Sequence, residues 1–196
     1  MANAQRPAGG APDGGEAMNR LTPVITVFGS RHAREGDRDY AEALELGRML
    51  ALAGYDVMSG GYAGTMEAVS RGTKDAGGRT RGITMSIFDP APANQWVDDE
   101  EKVLNFFIRL EKLIYDADAY IVLRGGIGTL TEVGLTWSLL QTKQIPPKPL
   151  VFIGEAWARM FDAFRQDCII TAQDYELVTL VRSPAEAVAH IQQHLR

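Results

Sequence analysis

The segment RGGIGTLTE, Arg124 to Glu132, gathers three glycines, two threonines and an acid directly after an apolar run. Gly125, Gly126 and Gly128 let a backbone turn and approach a ligand closely. Thr129 then reads as the opening of a helix, whose free N–H groups and dipole favour an anion such as a phosphate. An earlier stretch, SGGYAGTMEA, repeats the pattern with Gly60, Gly61 and Gly64 ahead of Thr65. These glycines suit either a second backbone nest on the same crevice or close packing of a helix on a sheet. Two charged side chains could complete such a site. Arg109, in NFFIRLEKL, is either an anion or sugar clamp or a solvated surface arginine. Glu132 could act on a ligand, or it could close a capping box with Thr129 by bonding back to the start of its helix.

Other chemistries find no support. His32, His190 and His194 do not cluster at metal-ligand spacing, and Cys168 is the only cysteine, which excludes an intramolecular disulfide and a thiolate metal site. No G-x-S-x-G elbow or Walker A lysine is present. The dinucleotide fingerprint would need glycine where Thr131 stands.

The elements that must position these residues follow from periodicity. VITVFGS, YDVMSGG, RGITMSIF, AYIVLRGG, PLVFIG and ELVTLVRS are predicted strands, several apolar on consecutive residues as strands buried on both faces are. Between them run helical stripes: Tyr40, Ala43, Leu44, Gly47, Leu50 and Ala51, ending at Gly54; then Val103, Phe106, Phe107, Leu110, Leu113 and Ile114; then Leu130, Val133, Trp137 and Leu140. Ser183 and Pro184 are placed as cap and first-turn residue of a last helix. The alternation predicts an α/β fold, a Rossmann-like doubly wound and mainly parallel sheet flanked by helices. Its ligand crevice should lie beyond the carboxyl ends of the strands, where FGSRHARE with Ser30, SGGYAGTMEA and RGGIGTLTE all fall.

The chain of 196 residues, 45% hydrophobic and 23% charged, is long enough for one good core, expected over residues 21–196. Residues 1–20 are rich in Ala, Gly and Pro and are expected to form a disordered tail. A net charge of −5 argues against nucleic acid or a membrane surface as partner, since either calls for a basic face. No apolar run approaches the roughly 20 residues of a membrane helix, the N-terminus lacks a signal-like layout, and a reducing cytoplasm is the expected location.

The pairing of GGYAGTMEAV with RGGIGTLTE, in a chain whose first strand reads VFGS and which carries a helical arginine before the second motif, resembles the LONELY GUY (LOG) family, often mislabelled lysine decarboxylase. The family pattern is G-G-G-x-x-G-L-M, then M-x-x-R-K, then P-G-G-x-G-T-x-E-E, and the resemblance runs from about Val24 to Gly154. Arg109 and Glu132 stand 23 residues apart, as the family's arginine and second motif glutamate do. The resemblance implies a homodimer that cleaves the N-glycosidic bond of nucleoside 5′-monophosphates, notably cytokinin ribotides, to free base and ribose 5-phosphate. Arg109 and Glu132 would be catalytic, the carboxylate stabilising a cationic ribose, and no metal or redox cofactor would be needed. Ser30, the glycines of both motifs, Thr65, Thr129 and Arg124 would bind the nucleotide. Where the pattern has proline, its first glutamate, lysine and methionine, this chain has Arg124, Thr131, Leu110 and Phe106, and FGSRHA stands for C-G-S-S. Arg124 would suit an extra phosphate. The alternative is a protein of the same fold that binds a nucleotide or carries the molybdenum cofactor without hydrolysing it.

Overall fold

Seven parallel strands form one sheet in the order β4-β3-β2-β1-β5-β6-β7 in the computed structural model, which describes residues 22–195. The tail expected over residues 1–20 lies outside the described residues. The strands are β1 (Val24–Phe28), β2 (Asp56–Ser59), β3 (Thr80–Met85), β4 (Asp99–Val103), β5 (Ala119–Val122), β6 (Leu150–Ile153) and β7 (Thr179–Val181). The helices are α1 (Arg38–Leu52), α2 (Thr65–Asp75), α3 (Phe106–Tyr115), α4 (Ile127–Gln141), α5 (Glu155–Asp167), the single turn α6 (Ala172–Tyr175) and α7 (Pro184–His194). The doubly wound architecture is as expected, with every pairing parallel. Strand order reverses at β1, which lies between β2 and β5 and so opens the crevice at their carboxyl ends.

Alternating side chains of the central strands feed two cores. Phe28, Met58, Tyr120 and Phe152 pack beneath α3, α4 and α5, while Ile25, Val27, Val57, Ile121 and Val151 pack beneath α1, α2 and α7. That two-sided burial is why the strands are apolar without alternation. One polar member sits at no cost: Thr26 is fully buried, and its hydroxyl donates to the Leu113 carbonyl at 2.9 Å. Gly54, at φ 85°, stops α1 as expected, and Ser183 accepts from the Glu186 amide at 3.3 Å with Pro184 in the first turn of α7.

The helical stripes need correction. On α1 the deepest residues include Leu46, and Leu44 and Ala51 are only half-buried. On α3 the buried face is Arg109, Leu110, Leu113 and Ile114, whereas Phe107 is 82% exposed; Val103 belongs to β4. On α4, Leu130 is exposed, and Thr129, Glu132 and Thr136 join Val133 and Leu140 inside. Strand β4 was not foreseen. Its sequence, DEEKV, lacks any apolar alternation because it is an edge strand held to β3 by the backbone ladder.

Helices α1 and α2 touch backbone to backbone. A methyl group at Gly47 would overlap the Val69 carbonyl and one at Gly72 the Leu44 carbonyl, and Thr73 donates across the contact to the Gly47 carbonyl at 3.2 Å. Alanine in place of Gly47 gains about 1 kcal/mol of helix propensity but forces the helices apart. Gly47→Ala is therefore expected to lower stability by about 1–3 kcal/mol, read as an earlier urea midpoint. A midpoint unchanged or raised would mean that the helices separate freely.

Candidate ligand-binding site

Helix α4 begins at Ile127, two residues before the position expected from Thr129. Gly126 is its N-cap and offers no side-chain cap, and the first intrahelical bond runs from the Leu130 amide to the Gly126 carbonyl at 3.0 Å. The amides of Ile127, Gly128 and Thr129 therefore precede the ladder at the positive end of the helix dipole. Space above Gly126 and Gly128 is open, as an incoming anion requires. Gly125 has a different task, because any side chain there would collide with Thr129. The Thr129 hydroxyl is committed to the loop after β1, donating to the Gly29 carbonyl at 3.0 Å.

The second glycine loop is organised around contact with the protein. The Ser30 carbonyl accepts both the Thr65 amide at 2.8 Å and the Thr65 hydroxyl at 3.1 Å, closing the start of α2, and the Ser30 hydroxyl accepts from the His32 amide at 3.0 Å. A Cβ at Gly64, whose φ is 77°, would strike Ser30 and Arg31. Gly61 lies against Gly82 of β3. At Gly60 a Cβ would occupy the place of the Arg109 guanidinium.

That guanidinium lies against the loop after β2. Arg109 is 6% exposed and Glu132 7%, so neither is a surface residue. Arg109 Nε donates to the Ile83 carbonyl at 2.8 Å, and Nη1 donates to Glu132 Oε1 at 3.3 Å. Glu132 thus binds Arg109 across two helices and makes no capping box. It is the only charged residue of α4. Burial pushes its carboxyl up from an ordinary 4.5 to about 7, against the downward pull of the Arg109 charge and hydrogen bond.

The remaining expected residues lie at the rim. Thr131 is exposed and its hydroxyl donates back to the Ile127 carbonyl at 2.9 Å. Arg124 is exposed and pairs with Asp39 at 3.2 Å, a surface pair of small energetic weight. His190 and His194 stack with ring centroids 4.2 Å apart on α7, and among the described residues no group of three or more His, Cys, Asp or Glu could hold a metal ion. No helix of the described residues is long and apolar enough to cross a membrane.

Residues 66–191, which include Arg109 and the whole RGGIGTLTE segment with Glu132, match the family model described as possible lysine decarboxylase. The chain belongs to this family. Within the lysine decarboxylase-like family it is similar to the cytokinin riboside 5′-monophosphate phosphoribohydrolase LOG of Oryza sativa subsp. japonica, with 32% identity over 136 residues, 67% of this chain and 56% of the relative. The chain spans about half the length of the first curated relatives it matches. By shape it is similar to the molybdenum cofactor binding protein of Rippkaea orientalis, with a TM-score of 0.73 and 25% identity, over 89% of this chain and 98% of that one. The molybdenum cofactor carrier protein of Chlamydomonas reinhardtii gives 0.68 and 26% over the same shares.

The raised carboxyl carries a stability signature. Because the folded-state value lies above the unfolded one, the folded protein holds the extra proton between them, and stability falls as pH rises from about 4.5 to about 7. In Glu132→Gln that contribution is absent, so the variant is expected to gain on the wild type across this window, by on the order of 3 kcal/mol at most. Parallel urea titrations at pH 5 and pH 8 measure it. A constant difference between the two proteins would mean that Glu132 titrates normally.

Proposed function

We propose that this protein binds a phosphorylated heterocyclic ligand, a nucleoside 5′-monophosphate or the phosphorylated pterin of the molybdenum cofactor, and carries it without cleaving it. The observation that carries this reading is how the two acid positions of the second motif are occupied. One is Thr131, whose hydroxyl is turned back onto its own helix, and the other is Glu132, clasped by Arg109 in a buried pair. A carboxylate neutralised by a guanidinium offers less charge to a cationic ribose than a free one would. The open amides of α4 supply what a phosphate needs in either ligand. Likeness over nearly the full length of two molybdenum cofactor proteins supports the same reading.

Hydrolysis of nucleotides is the second reading, favoured by one specific observation. Arg109 and Glu132 meet although 23 residues separate them, and a carboxyl titrating at about 7 is poised for general acid–base work. The two readings part in one experiment. The protein is mixed with AMP and with adenosine, and both bound ligand and free adenine are followed. Carriage predicts retention of AMP, little retention of adenosine and no adenine above the uncatalysed background. Steady release of adenine, lost in Glu132→Gln, would establish the hydrolase instead.

The same family likeness supports a homodimer. Large apolar side chains stand open on the two helices that hold the site, with Phe107 and Ile127 each 82% exposed. Trp137, in contrast, is turned inward among Phe161 and Tyr175. Sedimentation at micromolar concentration is expected to give about twice the 21.5 kDa chain mass. A Phe107→Glu variant should shift it to the monomer; a monomeric wild type would remove the dimer from the proposal.

A further inference from the structure

Tyr62 has no role in the site as described so far, and its surroundings define one. It follows the loop in which Gly60 lies against the Arg109 guanidinium, two residues further on. Its hydroxyl is fully engaged by one residue of β3, accepting from the Met85 amide at 2.7 Å and donating to the Met85 carbonyl at 3.2 Å. A phenol whose one proton is already given to a carbonyl has none to donate to a ligand. What it can still offer is the ring.

The ring is held in place. The edge-on contact with Phe88, centroids 5.5 Å apart and planes at 85°, fixes its orientation. Asn94 fixes the loop beneath it: its amide donates to the Gly61 carbonyl at 2.8 Å, and its side-chain nitrogen donates to the Gly61 and Tyr62 carbonyls at 3.1 and 3.0 Å. Tyr62 nevertheless remains half-buried, and Phe88 beside it is 44% exposed. An aromatic face anchored at its hydroxyl, at one edge and through its backbone loses little entropy when a flat partner settles on it.

Position gives the partner. Tyr62 stands over the carboxyl ends of β2 and β3, and the open amides of α4 lie beyond β5 and β1. The loop bearing Tyr62 follows β2 and α4 follows β5, two strand spacings apart in the order β2-β1-β5, about 10 Å. A 5′-monophosphate, or a phosphate joined to a fused ring through a short sugar-like linker, crosses such a span. We propose that Tyr62 is the stacking platform for the fused heteroaromatic ring, purine or pterin, of a ligand whose phosphate lies at the start of α4. This inference rests on the ligand class proposed above and assigns the residue that reads its ring.

Calorimetric titrations with AMP and with ribose 5-phosphate, which lacks the ring, test both layers separately. The wild type is expected to bind AMP at least tenfold more tightly than ribose 5-phosphate, in line with the value of about 1–3 kcal/mol for a base stacked on an aromatic ring. Tyr62→Ala should lose about tenfold in AMP affinity and leave ribose 5-phosphate binding unchanged. Tyr62→Phe, which keeps the ring but not the bonds to Met85, should retain most of the AMP advantage. If both affinities fall together in Tyr62→Ala, the side chain merely supports the loop and the platform is refuted. Equal affinities of the wild type for the two ligands would also refute it while leaving the phosphate site standing. Binding of neither ligand would overturn the ligand class and the platform with it.

Discussion

A guanidinium and a carboxylate removed from water together constrain everything around the crevice. Each charge alone would be costly to bury, and the pair is tolerable only while the partners stay within hydrogen-bond reach. Arg109 on α3 and Glu132 on α4 therefore tie two helices to one relative position, and the Nε bond to the Ile83 carbonyl ties both to β3. The absence of a side chain at Gly60 is part of the same arrangement, since the guanidinium fills that volume. Four segments far apart in sequence thus meet on one ionic contact. Its proton affinity, set by burial, lies near neutrality.

The two glycine motifs look alike in sequence and act differently. After β5 the helix start is left open, with space above Gly126 and Gly128. After β2 the helix start is closed by the Ser30 carbonyl, and the glycines are there so that backbone and arginine can approach. The loop after β1 is held from both sides, Thr65 bonding to Ser30 and Thr129 to Gly29. One open helix start and one closed one, on a shared junction, are the outcome.

Much of this was legible in the sequence. Six of the seven strands were expected from the sequence, several of them because strands buried on both faces announce themselves by continuous apolar runs. The acidic β4 was not, because an edge strand needs only its backbone to pair. Periodicity misplaced Phe106 and Phe107 for a physical reason: an apolar residue and a buried residue are different things on a helix that also buries an arginine. The spacing of Arg109 and Glu132 pointed to the pair, yet neither the bond between them nor the place of Gly60 under the guanidinium could be read from it. Both depend on how α3 and α4 sit on the sheet. Tyr62 gave no signal beyond its position in a glycine loop, since its meaning comes from Met85 and Phe88, more than twenty residues away.

The overlooked strand β4 bears on how copies of this chain can meet. An outermost strand is a template on which another chain can polymerise, and this one presents Asp99, Glu100 and Glu101 in succession. A second copy approaching side by side would have to displace charged side chains already committed within the chain, Asp99 to Arg79 at 2.9 Å and Glu101 to Lys112 at 3.1 Å. The opposite rim, β7, is only three residues long and offers little to extend. Growth of the sheet into a fibril is thereby discouraged at both ends.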